Sequence, residues 1–104
     1  MKFDHIALKS KDIKKSIDWY VSTFKDVEVI YHDTTWALID VCGTPISFVS
    51  PHQHPPHISF CVDDDYINNN LTDKVFKKHR DGTSSCYVKD PDGNFVEFLK
   101  RKDR

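Results

Sequence analysis

His5, His57 and Glu97 are the residues whose types and spacing could do chemistry. Glu97 interrupts Phe95-Val96-Glu97-Phe98-Leu99, an otherwise apolar and β-prone run that follows Asp90-Pro91-Asp92-Gly93-Asn94. In that turn Pro91 presets φ, Gly93 takes positive φ without steric cost, and Asp92 and Asn94 can bond their own backbone. On a two-residue period Phe95, Glu97 and Leu99 share one face, while Val96 and Phe98 share the other. A solvated face is the ordinary explanation of such a glutamate, because Glu is rarely buried unpaired. Two histidines weigh against it. Each opens a strand-like run of one pattern, His5-Ile6-Ala7-Leu8 and His57-Ile58-Ser59-Phe60. Imidazole and carboxylate are common donors to divalent metals near neutral pH.

The elements that must position these residues recur in the chain. Phe3 to Lys9 reads as a strand, and Ser10 or Asp12 can cap the helix after it. In that helix Ile13, Ile17, Tyr20, Val21 and Phe24 recur at helical spacing, which is core packing. Val27 to Tyr31, Thr35 to Val41 and Pro45 to Val49 are β-rich, with turns at His32-Asp33-Thr34 and Cys42-Gly43-Thr44. Residues 51–56 form a Pro- and His-rich linker without helix. A fifth strand then runs from His57 to Val62. Asp63, Asp64 and Asp65 offer caps for a weaker helix carrying Ile67, Leu71 and Val75, although an extended piece near Val75 to His79 is an alternative. Thr83 to Val88 and the Glu97 strand close the chain. Asp40 to Phe48 aligns with Asp90 to Phe98 without a gap, so Ser47 and Glu97 both stand four positions after a glycine. The expected organisation is a first βαβββ module over 1–50, the linker over 51–56, and a second βαβββ module over 57–104.

Composition narrows the function classes. Lys plus Arg number 15 and Asp plus Glu 16, giving a net charge of −1. Nothing in that balance, or in the scattered basic residues, suggests nucleic acid or an anionic membrane as partner. The basic tail after Leu99 reads as a solvated end. No apolar run is long enough to span a membrane, and no signal-like segment precedes the first strand. Cys42, Cys61 and Cys86 are odd in number and lack Cys-x-x-Cys spacing, so a reducing, cytoplasmic setting is expected. With only 104 residues, the chain has a poor surface-to-volume ratio and open sheet edges, from which a homodimer is expected.

The His5 strand with its helix ending Trp19-Tyr20, the His57-Ile58-Ser59-Phe60 strand, and Asp90-Pro91-Asp92-Gly93-Asn94 leading to Glu97 resemble the vicinal-oxygen-chelate superfamily. That superfamily includes glyoxalase I, extradiol dioxygenases, fosfomycin-resistance enzymes and bleomycin-binding proteins, and the resemblance covers residues 3 to about 100. It implies an α+β fold: two paired βαβββ modules forming an open, cup-shaped mixed β-sheet with helices outside. By position it implies His5, His57 and Glu97 as ligands of a divalent metal, iron(II) or manganese(II) before zinc or nickel. Ser47 departs from the family pattern, where glyoxalase I carries Glu or Gln. A serine is a poor ligand and no base at neutral pH, so the resemblance implies dioxygenase-like or fosfomycin-transferase-like chemistry rather than that of glyoxalase I. A two-histidine, one-carboxylate triad leaves coordination positions open for a small-molecule substrate. The alternative is a non-catalytic protein that sequesters a small molecule, as bleomycin-binding relatives do.

Residues sharing faces with these ligands are expected to line the pocket: Phe3, Ala7, Ser47, Val49, Ser59, Cys61, Phe95 and Leu99. Tyr20, Trp36, Tyr87 and Phe48 are further contributors from nearby. His52 and His54 in the linker read as part of a solvated connection. The sequence singles out no catalytic acid or base.

Overall fold

The computed structural model describes residues 1–101; the last three residues of the basic tail lie outside them. The elements are β1 (Lys2–Lys9), α1 (Ile13–Thr23), β2 (Val27–His32), β3 (Trp36–Val41), β4 (Thr44–Val49), β5 (His57–Cys61), α2 (Asp64–Asn70), β6 (Lys77–Lys78), β7 (Ser84–Lys89) and β8 (Phe95–Lys100). They make an α+β fold in which all eight strands belong to one mixed sheet. Two compact units divide the chain: His5–His57, and Ile58 onward together with Met1–Asp4.

The first unit has strand order β2-β3-β4-β1, with β4 antiparallel to β3 and parallel to β1. Its core comprises Ile13 and Ile17 of α1 packed on Ala37, Ile39, Val41 and Phe48. Residues opposite each other in a ladder share a face, so Ala37↔Phe48 and Leu8↔Phe48 put these side chains under the helix. Val21 is not part of the helical stripe and is 48 % exposed. At 100° per residue it falls at the rim of the arc centred on Ile13, Ile17 and Tyr20. Phe24 is the extended C-cap beyond the last helical turn, and its ring stacks on Tyr20 at 5.6 Å.

The second unit repeats the order as β5-β8-β7-β6. Tyr66 of α2 meets Phe98 at 5.8 Å, and Leu71 is buried as the helix C-cap. The helix stops there, leaving Val75 89 % exposed rather than on its apolar face. Asn68-Asn69-Asn70 has low helix propensity, and the Asn70 amide turns back to donate to the Tyr66 carbonyl at 3.2 Å. The strand that was hardest to read in the sequence is β6, two lysines paired with Ser84 and Ser85.

Aspartates at matching places fix the boundaries of both units. Asp12 caps α1 by accepting from the Lys15 N–H, and Asp63 caps α2 by accepting from the Tyr66 N–H. Asp33 accepts from the Thr35 N–H and hydroxyl before β3, and Asp81 does the same with Thr83 before β7. Asp40 accepts from the Gly43 N–H, and Asp90 accepts from the N–H groups of Asp92 and Asn94. In the first of these last two turns Cys42 and Gly43 both have positive φ, 53° and 84°, which suits the twist of a two-residue hairpin.

Asp33 also accepts from the Tyr31 hydroxyl at 2.7 Å and from the Trp36 N–H at 3.0 Å. The bonds from Tyr31 and Thr35, then that from Trp36, hold its carboxyl well below the ordinary 3.8. A carboxyl depressed on folding contributes stability above its unfolded pKa and loses it as the pH falls toward the folded value. Asp33→Asn is expected to melt a few degrees below wild type at pH 7. That gap should narrow as the pH drops below about 4. Thermal melts of both proteins across pH 2 to 7 check this, and a gap that stays constant contradicts it.

Candidate functional site

In the first unit, β1 and β4 place Ala7 beside Ser47, and β3 places Leu38 opposite Ser47 on its other side. All three lie on the face turned away from α1, because the alternating residues Leu8, Phe48 and Ala37 lie beneath it. His5 shares the Ala7 face by the two-residue period. Val49 is on that face too, opposite Trp36, whose ring stacks on Tyr31 at 4.6 Å. Ala7, Ser47 and Val49 are buried, and His5 is half-buried. Tyr20 and Phe48 are corrected as pocket contributors, since they pack against each other at 5.1 Å within the core on the α1 side.

His5 and His57 come together within this unit, with ring centroids 5.5 Å apart and planes at 73°. His57 is buried, and its Nδ1 lies 2.7 Å from the Pro55 carbonyl. A carbonyl only accepts, so Nδ1 carries the proton and donates it, and the ring lone pair lies at Nε2. That second-sphere bond is how metal-binding histidines are commonly oriented.

In the second unit, Glu97 is only 5 % exposed. Ser59, fully buried on β5, donates from Oγ to its Oε1 at 2.7 Å. Tyr87 stands directly opposite on β7. Burial first, then the nearby charge of Glu97, push the Tyr87 phenol well above its ordinary 10. Leu99 and Ser85 face each other one step along the same side of the ladder, both buried. Phe95 is half-buried, edge-on to Tyr87 at 6.0 Å and under the Lys89 ammonium at 5.2 Å.

Cys61 is buried, and its thiol donates to Asp4 Oδ1 at 3.2 Å. Arg101 also reaches that oxygen, through an Nη at 2.6 Å and Nε at 3.3 Å. Burial, then Asp4, push the Cys61 thiol up, so it is not poised as a nucleophile. Phe3 is 44 % exposed and packs edge-on against Phe60 at 5.9 Å, and it is its neighbour Asp4 that meets Cys61. The sequence pattern around Phe3 gave no sign of this. Asp4, Arg101 and the Pro55 carbonyl are the polar groups that sequence reasoning missed. An acid beside His5 was a signal for the first, whereas a backbone carbonyl in a linker carries none.

Among the described residues, His5, His57 and Glu97 are the histidine, cysteine and acidic side chains grouped so that they could hold a metal ion. The linker histidines are not in that group; His52 is exposed and His54 half-buried after a turn closed on the Ser50 carbonyl.

No protein-family model matches the sequence, and no curated protein matches it. Solved structures do match. A glyoxalase/bleomycin resistance protein/dioxygenase superfamily member from Vibrio splendidus is 16 % identical with a TM-score of 0.67, covering 94 % of this chain and 98 % of its own. A protein from Legionella pneumophila described as an NAD-dependent benzaldehyde dehydrogenase is 18 % identical with a TM-score of 0.71, covering 93 % and 97 %. A protein from Staphylococcus aureus is 13 % identical with a TM-score of 0.66, covering 98 % and 97 %. Likeness at this level of identity concerns architecture, and by it the chain has the fold of the glyoxalase/bleomycin resistance/dioxygenase superfamily.

Proposed function

We propose that this chain is a metal-dependent enzyme of the vicinal-oxygen-chelate type acting on a small molecule, with His5, His57 and Glu97 as the protein's donors to one divalent ion. The observation that carries this reading is that one donor atom from each of the three lies within 4.8 Å of the other two. The donor chemistry fits such an ion. His57 is held in the tautomer with its lone pair at Nε2. Glu97 is a buried carboxylate that supplies negative charge where an unpaired one would be costly.

Iron(II) or manganese(II) suits two imidazoles and a carboxylate without thiolate, and zinc or nickel are the other ions such donors accept. When bound, the ion supplies Lewis acidity toward two neighbouring substrate oxygens and stabilises charge that develops there. The rest belongs to the chain. Pro55 orients His57, and apolar Ala7, Leu38 and Val49 line the face around Ser47. The Ser47 hydroxyl is neither a strong donor nor a base at neutral pH, which favours dioxygenase-like or fosfomycin-transferase-like chemistry over that of glyoxalase I.

Purified protein loaded with manganese(II) or iron(II) and then desalted is expected to retain the metal in stoichiometric amount by elemental analysis. Glu97→Ala should abolish retention and Ser47→Ala should leave it nearly intact. Wild-type protein that keeps no stoichiometric metal would overturn this function and leave the sequestering one.

The chain is further proposed to work as a homodimer in the cytoplasm. Its three cysteines are all unpaired thiols, in keeping with a reducing setting. No helix among the described residues is long and apolar enough to cross a membrane. Edge strand β2 exposes Val29, Ile30 and Tyr31, and α1 exposes Trp19. Such apolar surface on an unpaired edge favours association. Sedimentation at micromolar concentration should give twice the chain mass, and a stable monomer contradicts the dimer.

A further inference from the structure

We propose that Ser59 and Tyr87 are positioning residues that hold the Glu97 carboxylate from both sides of its strand and set its affinity for metal. This rests on Glu97 being a ligand, as proposed above.

The placement follows from strand order. In the second unit β8 lies between β5 and β7, so a side chain on β8 has one neighbour on each. For Glu97 both neighbours are hydroxyls. Ser59 on β5 donates to Oε1 at 2.7 Å, and Tyr87 stands directly opposite Glu97 on β7. An ionised carboxylate offers only acceptors, with about four lone-pair directions. A hydroxyl-bearing side chain on each neighbouring strand therefore restrains the plane of the group. Both side chains are themselves held: Ser59 is fully buried, and Tyr87 is packed edge-on against Phe95. A carboxylate so held loses little rotamer freedom when it binds, and its burial is already offset by charge-assisted bonds.

The first unit supplies an internal comparison. Ser47 occupies the place of Glu97: Leu38 stands opposite it as Tyr87 stands opposite Glu97, and Ala7 pairs with it on the other side, where Ser59 reaches Glu97. Where the carboxylate is absent, both hydroxyls are absent as well. If Ser59 and Tyr87 were general features of these strands, at least one would be expected in the half that has no carboxylate to hold.

Manganese(II) titrations followed by calorimetry test the assignment on wild type, Ser59→Ala, Tyr87→Phe, Ser59→Thr and Ser85→Ala. Ser59→Ala and Tyr87→Phe should each weaken binding about 10- to 100-fold, the range found when second-sphere partners are removed. Ser59→Thr keeps the hydroxyl and should bind to within a few-fold of wild type. Ser85 is equally buried one ladder step away and is bonded to His79 at 2.7 Å, not to Glu97. Its alanine variant should lose some thermal stability without losing affinity. If wild type binds and Ser59→Ala and Tyr87→Phe bind as tightly, the positioning role is overturned while the metal site stands. If Ser85→Ala weakens binding as much as they do, the effect is general loosening and the role is again overturned. If wild type itself binds no manganese, the proposed function fails and this inference falls with it.

Discussion

A carboxylate at the centre of an apolar strand is the costliest feature of this chain, and much of its second unit answers that cost. Left without partners, a buried carboxylate would forfeit the hydrogen bonds that water gives it. Glu97 instead accepts from a serine hydroxyl of β5 and stands opposite the Tyr87 phenol of β7. Both contacts depend on register, because a slip of one residue in β8 would turn Glu97 to the Tyr66 side and bring Val96 and Phe98 to the hydroxyls. The turn ahead of β8 therefore matters to the site. Asp90 collects the N–H groups of Asp92 and Asn94 and the Asn94 amide, and Gly93 takes φ of +88°. That turn pins the register which puts Glu97 opposite Tyr87.

The same device recurs through both units. Each helix begins at an aspartate N-cap, each β-ladder is entered through an Asp-x-Thr turn, and each last strand follows an aspartate that gathers turn N–H groups. These are local interactions, formed by residues two to four apart, and they specify element boundaries without a large core. Economy of this kind suits units of about fifty residues, whose buried apolar area is small. The exposed or half-buried position of these aspartates limits what each contributes to stability. Their larger effect is on which register is adopted.

Patterns that follow backbone periodicity were legible in the sequence. The strand–helix order of both units, the turn at Asp90 to Asn94 and the matching places of His5 and His57 could all be read from spacing. So could the alternation that puts Ala7, Ser47 and Val49 on one face. What escaped reading depended on packing or on groups without a side-chain signature. Val21 sits at the rim of a helical arc, Val75 lies beyond a helix weakened by three asparagines, and Tyr20 and Phe48 fill core. Phe3 and Asp4 differ from simple alternation because Asp4 is drawn to Cys61 and Arg101, a contact spanning 97 residues of sequence. The Pro55 carbonyl is the clearest case: the linker reads as spacer, yet its carbonyl accepts from His57 Nδ1 and fixes the tautomer.

The two units share a plan but differ in the row that would carry charge. In the first, Ala7, Ser47 and Leu38 form a row with one weakly polar group, whereas in the second Ser59, Glu97 and Tyr87 form a row with a charge and two donors. The difference extends across three strands, so it is a property of the row and not of one position. It follows that a carboxylate introduced at 47 would enter a place with no hydroxyl beside it, on a face lined by alanine and leucine. The ancestral-looking symmetry of the backbone thus coexists with a chemical asymmetry that confines the acidic donor to one half.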